Sequence, residues 1–234
     1  MRTLILSDVH LGNKHCNVPL LTAVLQREPF DRLILNGDTL QNVNLRKLDG
    51  EHWALLERFR KLGKERELIL LRGNHDHEPD FNPQANGQNP AMGTHLVLPG
   101  LLEVPMQEEI TLQVGQRKYI VMHGDRFDPT LRYPLVTDVA CYCYQIITKI
   151  NKKSAKWIKK KSKRWSGVLK LVRQQSIALA RSMKMDGIIT GHTHFSEDSQ
   201  EGEIHYVNSG CWTEHPNSYV SVDDENVTLH HETD

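Results

Sequence analysis

Short polar motifs with metal-binding side chains follow several apolar runs along this chain. The candidate ligands are Asp8, His10, Asp38, Asn74, His123, His192 and His194. They offer carboxylate, imidazole and amide donors, a mixture that suits manganese, iron or zinc, whereas an all-oxygen set favours calcium or magnesium. The set is large enough for two divalent ions, and paired divalent ions in proteins typically catalyse phosphate ester chemistry.

The apolar runs before these motifs predict β-strands, because each is short and ends at a polar residue or a glycine. Strands are predicted at residues 3–7, 32–36, 67–72, 118–122, 187–190, 204–208, 219–222 and 227–230. Ligands gather beyond the carboxyl ends of strands in open α/β sheets, so motifs distant in sequence are expected to converge on one pocket. One carboxylate can bridge two ions, and Asp38 is the candidate because it stands alone after Gly37.

Helices are predicted at residues 18–27 and 51–62, where apolar residues recur at helical spacing. The residues expected to face the core are Leu21, Val24 and Leu25 in the first helix and Trp53, Leu55, Leu56 and Phe59 in the second. Residues 78–100 are rich in Pro, Asn and Gly, and this composition predicts a long loop. Strands that alternate with helices indicate the α/β class.

One segment is strongly basic although the formal net charge of the whole chain is zero. No Asp or Glu occurs between Asp138 and Asp186, where Lys and Arg are dense. Such a segment creates a local field that attracts an anionic partner. We predict that residues 129–185 form a basic helical cap inserted into a single domain of residues 1–234. The predicted cap helices span residues 135–150 and 168–183, and the second places Val168, Val172, Leu179 and Met183 on one face.

The length and composition indicate a protein with a substantial buried core and no membrane span. The chain has 234 residues and a mass of 26.9 kDa, and no run approaches the roughly 20 apolar residues that a membrane-spanning helix needs. The apolar run before Asp8 is too short for a signal peptide, so a cytoplasmic location is expected. The four cysteines are Cys16, Cys141, Cys143 and Cys211. In a chain of this length they do not indicate a disulfide framework.

The ordered motifs resemble those of the calcineurin-like metallophosphoesterase superfamily. The pattern of that family is D-x-H, G-D, G-N-H-D, a separate H and G-H-x-H, and the chain has every piece in order between Asp8 and His194. The resemblance implies a sandwich of two mixed β-sheets flanked by helices. It also implies hydrolysis of a phosphodiester or pyrophosphate bond by a hydroxide that bridges two metal ions.

The same resemblance implies a role for each motif residue. One ion would be held by Asp8, His10, Asp38 and His194, and the other by Asp38, Asn74, His123 and His192. The candidate catalytic residues are His75 and Asp76, with Asp76 orienting His75 so that it contacts the phosphate or protonates the leaving group. The implied cofactors are two divalent metal ions, with Mn²⁺ favoured and Fe or Zn as alternatives.

Further segments resemble the bacterial UDP-2,3-diacylglucosamine pyrophosphatases of lipid A biosynthesis. The segments are D-V-H-L-G at residues 8–12, H-G-D-R-F-D at 123–128 and N-S-G-C-W at 208–212, with a helical insertion before the G-H-T-H motif. This resemblance implies cleavage of UDP-2,3-diacylglucosamine to UMP and lipid X. The basic cap would hold this lipid nucleotide and contact an anionic membrane peripherally, on the cytoplasmic face of the inner membrane. The candidate substrate-binding residues are Lys149, Lys153, Lys160 and Arg164.

Two other functions stay open on the sequence alone. A phosphodiesterase or nuclease that acts on nucleic acid could use residues 149–173 as a stripe that binds the phosphate backbone. A non-catalytic metal-binding scaffold is disfavoured, because a scaffold does not need the whole ligand set. Asp125 and Asp128 either orient His123 or form the turn that starts the cap.

Overall fold

The computed structural model of the protein describes residues 1–42, 44–76, 97–132 and 163–233. The strands in this part of the chain are β1 (Thr3–Leu6), β2 (Arg32–Asn36), β3 (Glu67–Leu71), β4 (Met106–Gln107), β5 (Glu109–Val114), β6 (Arg117–Met122), β7 (Gly187–Thr190), β8 (Glu197–Glu201), β9 (Ile204–Asn208), β10 (Asn217–Val222) and β11 (Val227–Glu232). The α-helices are α1 (Val18–Arg27), α2 (Gly50–Glu65), α3 (Val97–Leu102) and α4 (Lys163–Ser182).

The strands form two mixed sheets. The first has the order β11-β10-β1-β2-β3-β4, in which β1 to β4 run parallel and β10 and β11 are antiparallel. The second has the order β5-β6-β7-β9-β8, with β6, β7 and β9 parallel between two antiparallel edge strands. The predicted α/β sandwich of two mixed sheets flanked by helices is therefore confirmed.

Apolar side chains fill the space between the sheets and under the helices. Ile5 and Ile34 of the first sheet pack in one buried cluster with Val121 and Ile189 of the second. The opposite face of the first sheet packs against α1 and α2, and that of the second sheet packs against α4. Parallel strands covered on both faces need apolar residues at every position, which explains the continuous apolar runs in the sequence.

The buried face of α2 differs from the prediction. Trp53 was expected in the core, but it is 42% exposed, and His52 is buried instead. The helix begins at Gly50 because Asp49 caps it, accepting hydrogen bonds from the backbone N–H groups of Glu51 and His52. The Asp49 carboxylate also lies 3.0 Å from the ring nitrogen Nδ1 of the buried His52.

Two other helices also correct the sequence prediction. Helix α3 begins at Val97, inside the predicted loop of residues 78–100, because Leu98 and Leu102 bury their side chains in the core beside α2. Residues 78–96 of that loop lie outside the described residues. Helix α4 ends at Ser182, so Met183 is 38% exposed and does not extend its apolar face.

Strands β4, β5 and β8 were not predicted, and β8 has no apolar pattern. Its sequence is Glu-Asp-Ser-Gln-Glu, and it pairs with β9 at the edge of the second sheet. Arg173 of α4 donates a hydrogen bond of 2.8 Å to Glu197 and a second one to Glu201. This edge strand is therefore stabilised by a cation from the covering helix.

Most of the predicted cap lies outside the described residues. Residues 133–162 are among those not described, and they include Lys149, Lys153 and Lys160; the side chain of Arg164 is not described either. The cap at residues 129–185 and the single-domain organisation of residues 1–234 stay predictions. Within the described ranges no helix is both long and apolar enough to span a membrane, and Cys16 and Cys211 are free thiols.

Candidate dinuclear metal site

The loops that follow β1, β2, β3, β6 and β7 bring the predicted ligand residues together at one end of the sandwich. Each loop leaves the carboxyl end of a parallel strand, as expected for a site in an α/β protein. Hydrogen bonds also connect these loops to one another. The His10 N–H donates to the Asp38 carbonyl at 2.9 Å, and the His192 N–H donates to Asp8 Oδ2 at 2.8 Å.

Asp8, His10 and His194 form the first group of converging donors. His10 Nε2 lies 3.0 Å from His194 Nε2, and His194 Nε2 lies 3.2 Å from Asp8 Oδ1. His10 Nε2 is also 3.8 Å from Asp38 Oδ2. Metal–ligand bonds of about 2 Å place two donors of one ion about 3 Å apart, so these atoms fit a single cation.

Asp38, His123 and His192 form the second group. His123 Nε2 lies 3.4 Å from Asp38 Oδ2, and His192 Nδ1 lies 3.0 Å from Asn74 Oδ1. Asp38 Oδ2 therefore faces donors of both groups, as a bridging carboxylate must.

Two buried polar atoms of these groups support the fit to metal ions. Asp8 Oδ1 and His123 Nε2 have no hydrogen-bond partner among the described residues. Buried polar atoms almost always have a partner, and orphaned ones require an explanation. A carboxylate oxygen and an imidazole nitrogen are both ligand atoms for a divalent cation, so two such atoms without a partner suit a metal site.

Residues 1–196 match the family model described as calcineurin-like phosphoesterase. The chain belongs to the calcineurin-like phosphoesterase family. It is accordingly a metal-dependent phosphoesterase, as the complete set of motif residues predicts. No curated protein matches it significantly.

Solved structures with the same fold include a phosphoesterase, a phosphodiesterase and Vps29. Yfce, a phosphoesterase from E. coli, has a TM-score of 0.53 at 17% identity, over 97% of this chain and 91% of that one. A novel archaeal phosphodiesterase has a TM-score of 0.50 at 16% identity, over 99% and 100% of the two chains. A single mutant of Vps29 from Entamoeba histolytica also has a TM-score of 0.50, at 15% identity, over 99% and 91%. At these identities the likeness shows the fold alone.

Hydrogen bonds orient the imidazoles of this phosphoesterase. His123 Nδ1 lies 2.9 Å from the Asn36 carbonyl oxygen, which leaves Nε2 turned towards Asp38. His192 Nε2 lies 3.0 Å from Asp128 Oδ2, which leaves Nδ1 turned towards Asn74. Partners of this kind fix the ring orientation of metal-binding histidines.

Asp128 lies in a turn, where its Oδ1 accepts a hydrogen bond from the Thr130 N–H at 2.7 Å, which agrees with one of the two roles predicted for it. Asp128 contacts His192 and not His123, whereas Asp125 pairs with Arg72 at 3.5 Å.

The contacts of Asp76 correct the sequence analysis. Asp76 does not orient the His75 ring. Its carboxylate accepts hydrogen bonds from the Leu40 N–H at 3.0 Å and the Gly73 N–H at 3.2 Å. The His75 ring is held by a 2.9 Å contact between Nδ1 and the Gln41 carbonyl oxygen.

The backbone is strained at five of the seven ligand candidates. Their φ angles are positive, at 53° for Asp8, 53° for His10, 51° for Asp38, 66° for His192 and 59° for His194. Residues other than glycine rarely adopt this left-handed conformation, and strain of this kind clusters at functional sites. Hydrogen bonds between the loops hold these residues in this conformation, and the conformation directs their side chains into the site.

Burial and mutual charge shift the pKa values in the site. Burial favours the neutral form of Asp8, but the positive charges of His123 and His194 outweigh it and hold the Asp8 pKa well below its usual range. Burial also favours neutral His123, but Asp38 and Asp8 raise its pKa to about 10. Burial and the charge of Asp38 raise the pKa of Asp76 to about 7. The protein thus provides a strongly negative pair of carboxylates that metal ions or protons must neutralise.

Asn208 is a buried residue of the site that the ligand pattern omits. Its side-chain NH₂ group lies 2.7 Å from the Gly191 carbonyl and 3.1 Å from Thr193 Oγ1, within the loop that carries His192 and His194. Its side-chain oxygen accepts a hydrogen bond from the Gly210 N–H at 3.0 Å. Asn208 is the first residue of the segment N-S-G-C-W, and its hydrogen bonds hold this loop in place.

We expect Asn208→Ala to lower the free energy of unfolding by about 1–3 kcal/mol, because it leaves buried backbone groups without partners. Urea unfolding monitored by circular dichroism measures this loss. Asn226→Ala, at an exposed turn, is the control and should change stability by less than about 0.5 kcal/mol. Equal stability of the two variants would contradict the role given to Asn208.

Proposed function

We propose that this phosphoesterase uses two metal ions to cleave the pyrophosphate bond of a nucleotide-diphospho-lipid. The proposed substrate is UDP-2,3-diacylglucosamine, and the products are UMP and lipid X. The observation that carries the hydrolytic part is the convergence of the motif residues on three overlapping groups of donors, two of which contain Asp38. The resemblance of residues 8–12, 123–128 and 208–212 supports the choice of substrate.

The ligand assignment follows the two groups of donors. The first ion would be held by Asp8, His10, Asp38 and His194, and the second by Asp38, Asn74, His123 and His192. When bound, such a pair of ions acidifies water and neutralises the charge of a phosphoryl group. The mixed nitrogen and oxygen donors favour Mn²⁺, with Fe or Zn as alternatives.

His75 is proposed to contact the substrate directly. Its side chain is 38% exposed, whereas those of His10 and His123 are 4% and 1% exposed. Its Nδ1 contacts the Gln41 carbonyl, so Nε2 faces the site and lies 3.9 Å from Asp38 Oδ2. From this position the ring can donate a hydrogen bond to a phosphate oxygen or a proton to the leaving group. Asp76 supports it indirectly by holding the loop backbone.

The basic segment supports an anionic substrate at a membrane surface. Lys149, Lys153, Lys160 and Arg164 are proposed to bind the diphosphate of the substrate, and neighbouring cations to contact anionic lipid headgroups on the cytoplasmic face. Each basic residue near such a surface adds about 1 kcal/mol of attraction, which is enough for reversible peripheral binding.

Hydrolysis of three substrates in parallel tests the proposal. The protein is incubated with one substrate at a time, in the presence of Mn²⁺ or of excess chelator. The substrates are UDP-2,3-diacylglucosamine in detergent micelles, bis(4-nitrophenyl) phosphate and a short DNA. We expect metal-dependent release of UMP from the lipid nucleotide at a rate well above the hydrolysis rates of the aryl diester and the DNA. Cleavage of the DNA in preference to the lipid nucleotide, with steep inhibition by salt, would replace the proposed substrate by nucleic acid.

A charge-removing variant tests the basic segment separately. The triple substitution Lys149→Ala, Lys153→Ala and Lys160→Ala should raise the KM for the lipid nucleotide by about 10-fold or more, and leave hydrolysis of the small aryl diester unchanged. The control is Lys61→Ala with Lys64→Ala on α2, whose ion pairs are exposed and contribute little. An unchanged KM in the triple variant would remove the segment from substrate binding.

A further inference from the structure

Asp128 uses both carboxylate oxygens, and each has a different partner. Oδ2 lies 3.0 Å from Nε2 of His192, and the two side chains are only 7% and 9% exposed. Oδ1 accepts two hydrogen bonds from Thr130, one from the backbone N–H at 2.7 Å and one from Oγ1 at 2.6 Å. The two donors of Thr130 therefore fix which oxygen of Asp128 faces His192.

This arrangement determines where neutral His192 carries its proton. An ionised carboxylate only accepts hydrogen bonds, so the imidazole nitrogen that faces it carries the hydrogen. Nε2 of His192 is then protonated, and Nδ1 keeps its lone pair. Nδ1 lies 3.0 Å from the side-chain oxygen of Asn74, which is also an acceptor. Two lone pairs that face each other at this distance suit a cation between them.

We propose that Asp128 is a positioning residue that fixes the tautomer of His192 and so sets the affinity of the second metal position. The proposal rests on the proposed function, because it takes His192 as a ligand of that ion. Thr130 takes part, since its two donors keep Asp128 from rotating. Asp128 directly precedes the segment predicted as the cap, so the first turn of that segment contributes to the metal site.

This geometry predicts an unusual order of metal affinities among variants at position 128. In Asp128→Asn, both donors of Thr130 hold the one remaining side-chain oxygen, so the new NH₂ group faces Nε2 of His192. That group is a donor, so Nε2 must accept and the ring proton moves to Nδ1, where it blocks metal binding. In Asp128→Ala nothing imposes a tautomer on the His192 ring. A fraction of the molecules therefore keeps Nδ1 unprotonated and able to bind metal. The nearly isosteric Asn variant should therefore bind metal more weakly than the Ala variant.

Calorimetric titration of the metal-free protein with Mn²⁺ measures this order. Losing a partner that orients a ligand typically costs 10-fold to 100-fold in metal affinity, so we expect the second ion to bind about 10-fold more weakly in Asp128→Ala and about 100-fold more weakly in Asp128→Asn. The control is Asp198→Asn, which alters a similar contact of 2.8 Å between a carboxylate and His205 Nε2 on the second sheet. This control should bind two ions with wild-type affinity.

Nitrogen-15 long-range NMR of the metal-free protein gives a second readout that does not depend on metal or activity. We expect the His192 proton on Nε2 in the wild type and on Nδ1 in Asp128→Asn. The proposal is overturned if both proteins carry it on Nε2, or if Asp128→Asn binds Mn²⁺ as tightly as the wild type.

His192→Ala separates a failure of this inference from a failure of the proposed function. If His192→Ala still binds two Mn²⁺ ions, the ligand assignment itself is wrong and the role of Asp128 fails with it. If His192→Ala loses the second ion but Asp128→Asn does not, the ligand assignment stands and only the role of Asp128 is overturned.

Discussion

Asp38→Asn should lower the rate of phosphoester hydrolysis by at least about 10³-fold and remove both metal ions from the purified protein. Asp38 Oδ2 lies 3.4 Å from His123 Nε2 and 3.8 Å from His10 Nε2, so its charge serves both groups of donors. An amide of the same size keeps the shape and loses the charge. Paired ions supply several kcal/mol of transition-state stabilisation, and each 1.4 kcal/mol is about tenfold in rate. Hydrolysis of bis(4-nitrophenyl) phosphate and metal analysis of the same sample measure both effects.

The control for this variant is Asp49→Asn at the start of α2. Asp49 caps the helix, and Asn is an equally good cap. The hydrolysis rate and the metal content of Asp49→Asn should therefore equal those of the wild type. A wild-type rate in Asp38→Asn would refute the two-metal assignment and leave the fold assignment untouched. Loss of activity with two ions still bound would refute the bridging role alone.

Gly73→Ala should lower the melting temperature of the protein by roughly 3–10 °C and reduce its activity. A Cβ atom at Gly73 would overlap the backbone nitrogen and the Oδ1 atom of Asp38, and would lie 2.9 Å from the carbonyl carbon of Gly37. Backbone atoms cannot move aside as a flexible side chain does, so the loops that hold Asp38 and Asn74 must separate. Overpacking typically costs 1–3 kcal/mol, and about 1 kcal/mol lowers the melting temperature by roughly 2–4 °C in a domain of this size.

Gly167→Ala provides the matched control for that substitution. Gly167 lies within α4, and nothing lies within 4 Å of a Cβ built there. Alanine is a better helix former than glycine by about 1 kcal/mol, so this variant should melt at the wild-type temperature or slightly above it. Scanning calorimetry of both variants measures the difference. Equal melting temperatures would mean that the contact between the loops of Gly73 and Asp38 is looser than the structure indicates.

Local sequence patterns were sufficient to predict the central strands and the first two helices. The parallel strands are covered on both faces, so most of their residues are buried and the apolar run is visible in the sequence without any partner strand. Strands β4 and β5 were not predicted either, and strand β8 and helix α3 were missed because their local sequence hides them. The residues of β8 are polar and are paired by Arg173, and the two buried leucines of α3 lie within a stretch dominated by turn-forming residues.

The ligand residues were visible in the sequence because metal binding restricts residue type more strongly than packing does. Carboxylate, imidazole and amide groups cannot be exchanged for one another at such a position. Their order along the chain therefore identified the family, which the match over residues 1–196 shows independently.

Only the tertiary structure decided how these residues are oriented. Asp128 meets His192 from 64 positions away, Asp76 holds the backbone of Leu40, and the Gln41 carbonyl holds His75. The sequence had left Asp128 as either a partner of the nearby His123 or a turn residue, and had linked Asp76 with the adjacent His75. Side-chain chemistry is a property of each residue and can be read locally, whereas a hydrogen-bond partner depends on which loops meet in space. The strained backbone at Asp8 and His192 arises in the same way, because bonds between distant loops stabilise conformations that neither segment would adopt alone.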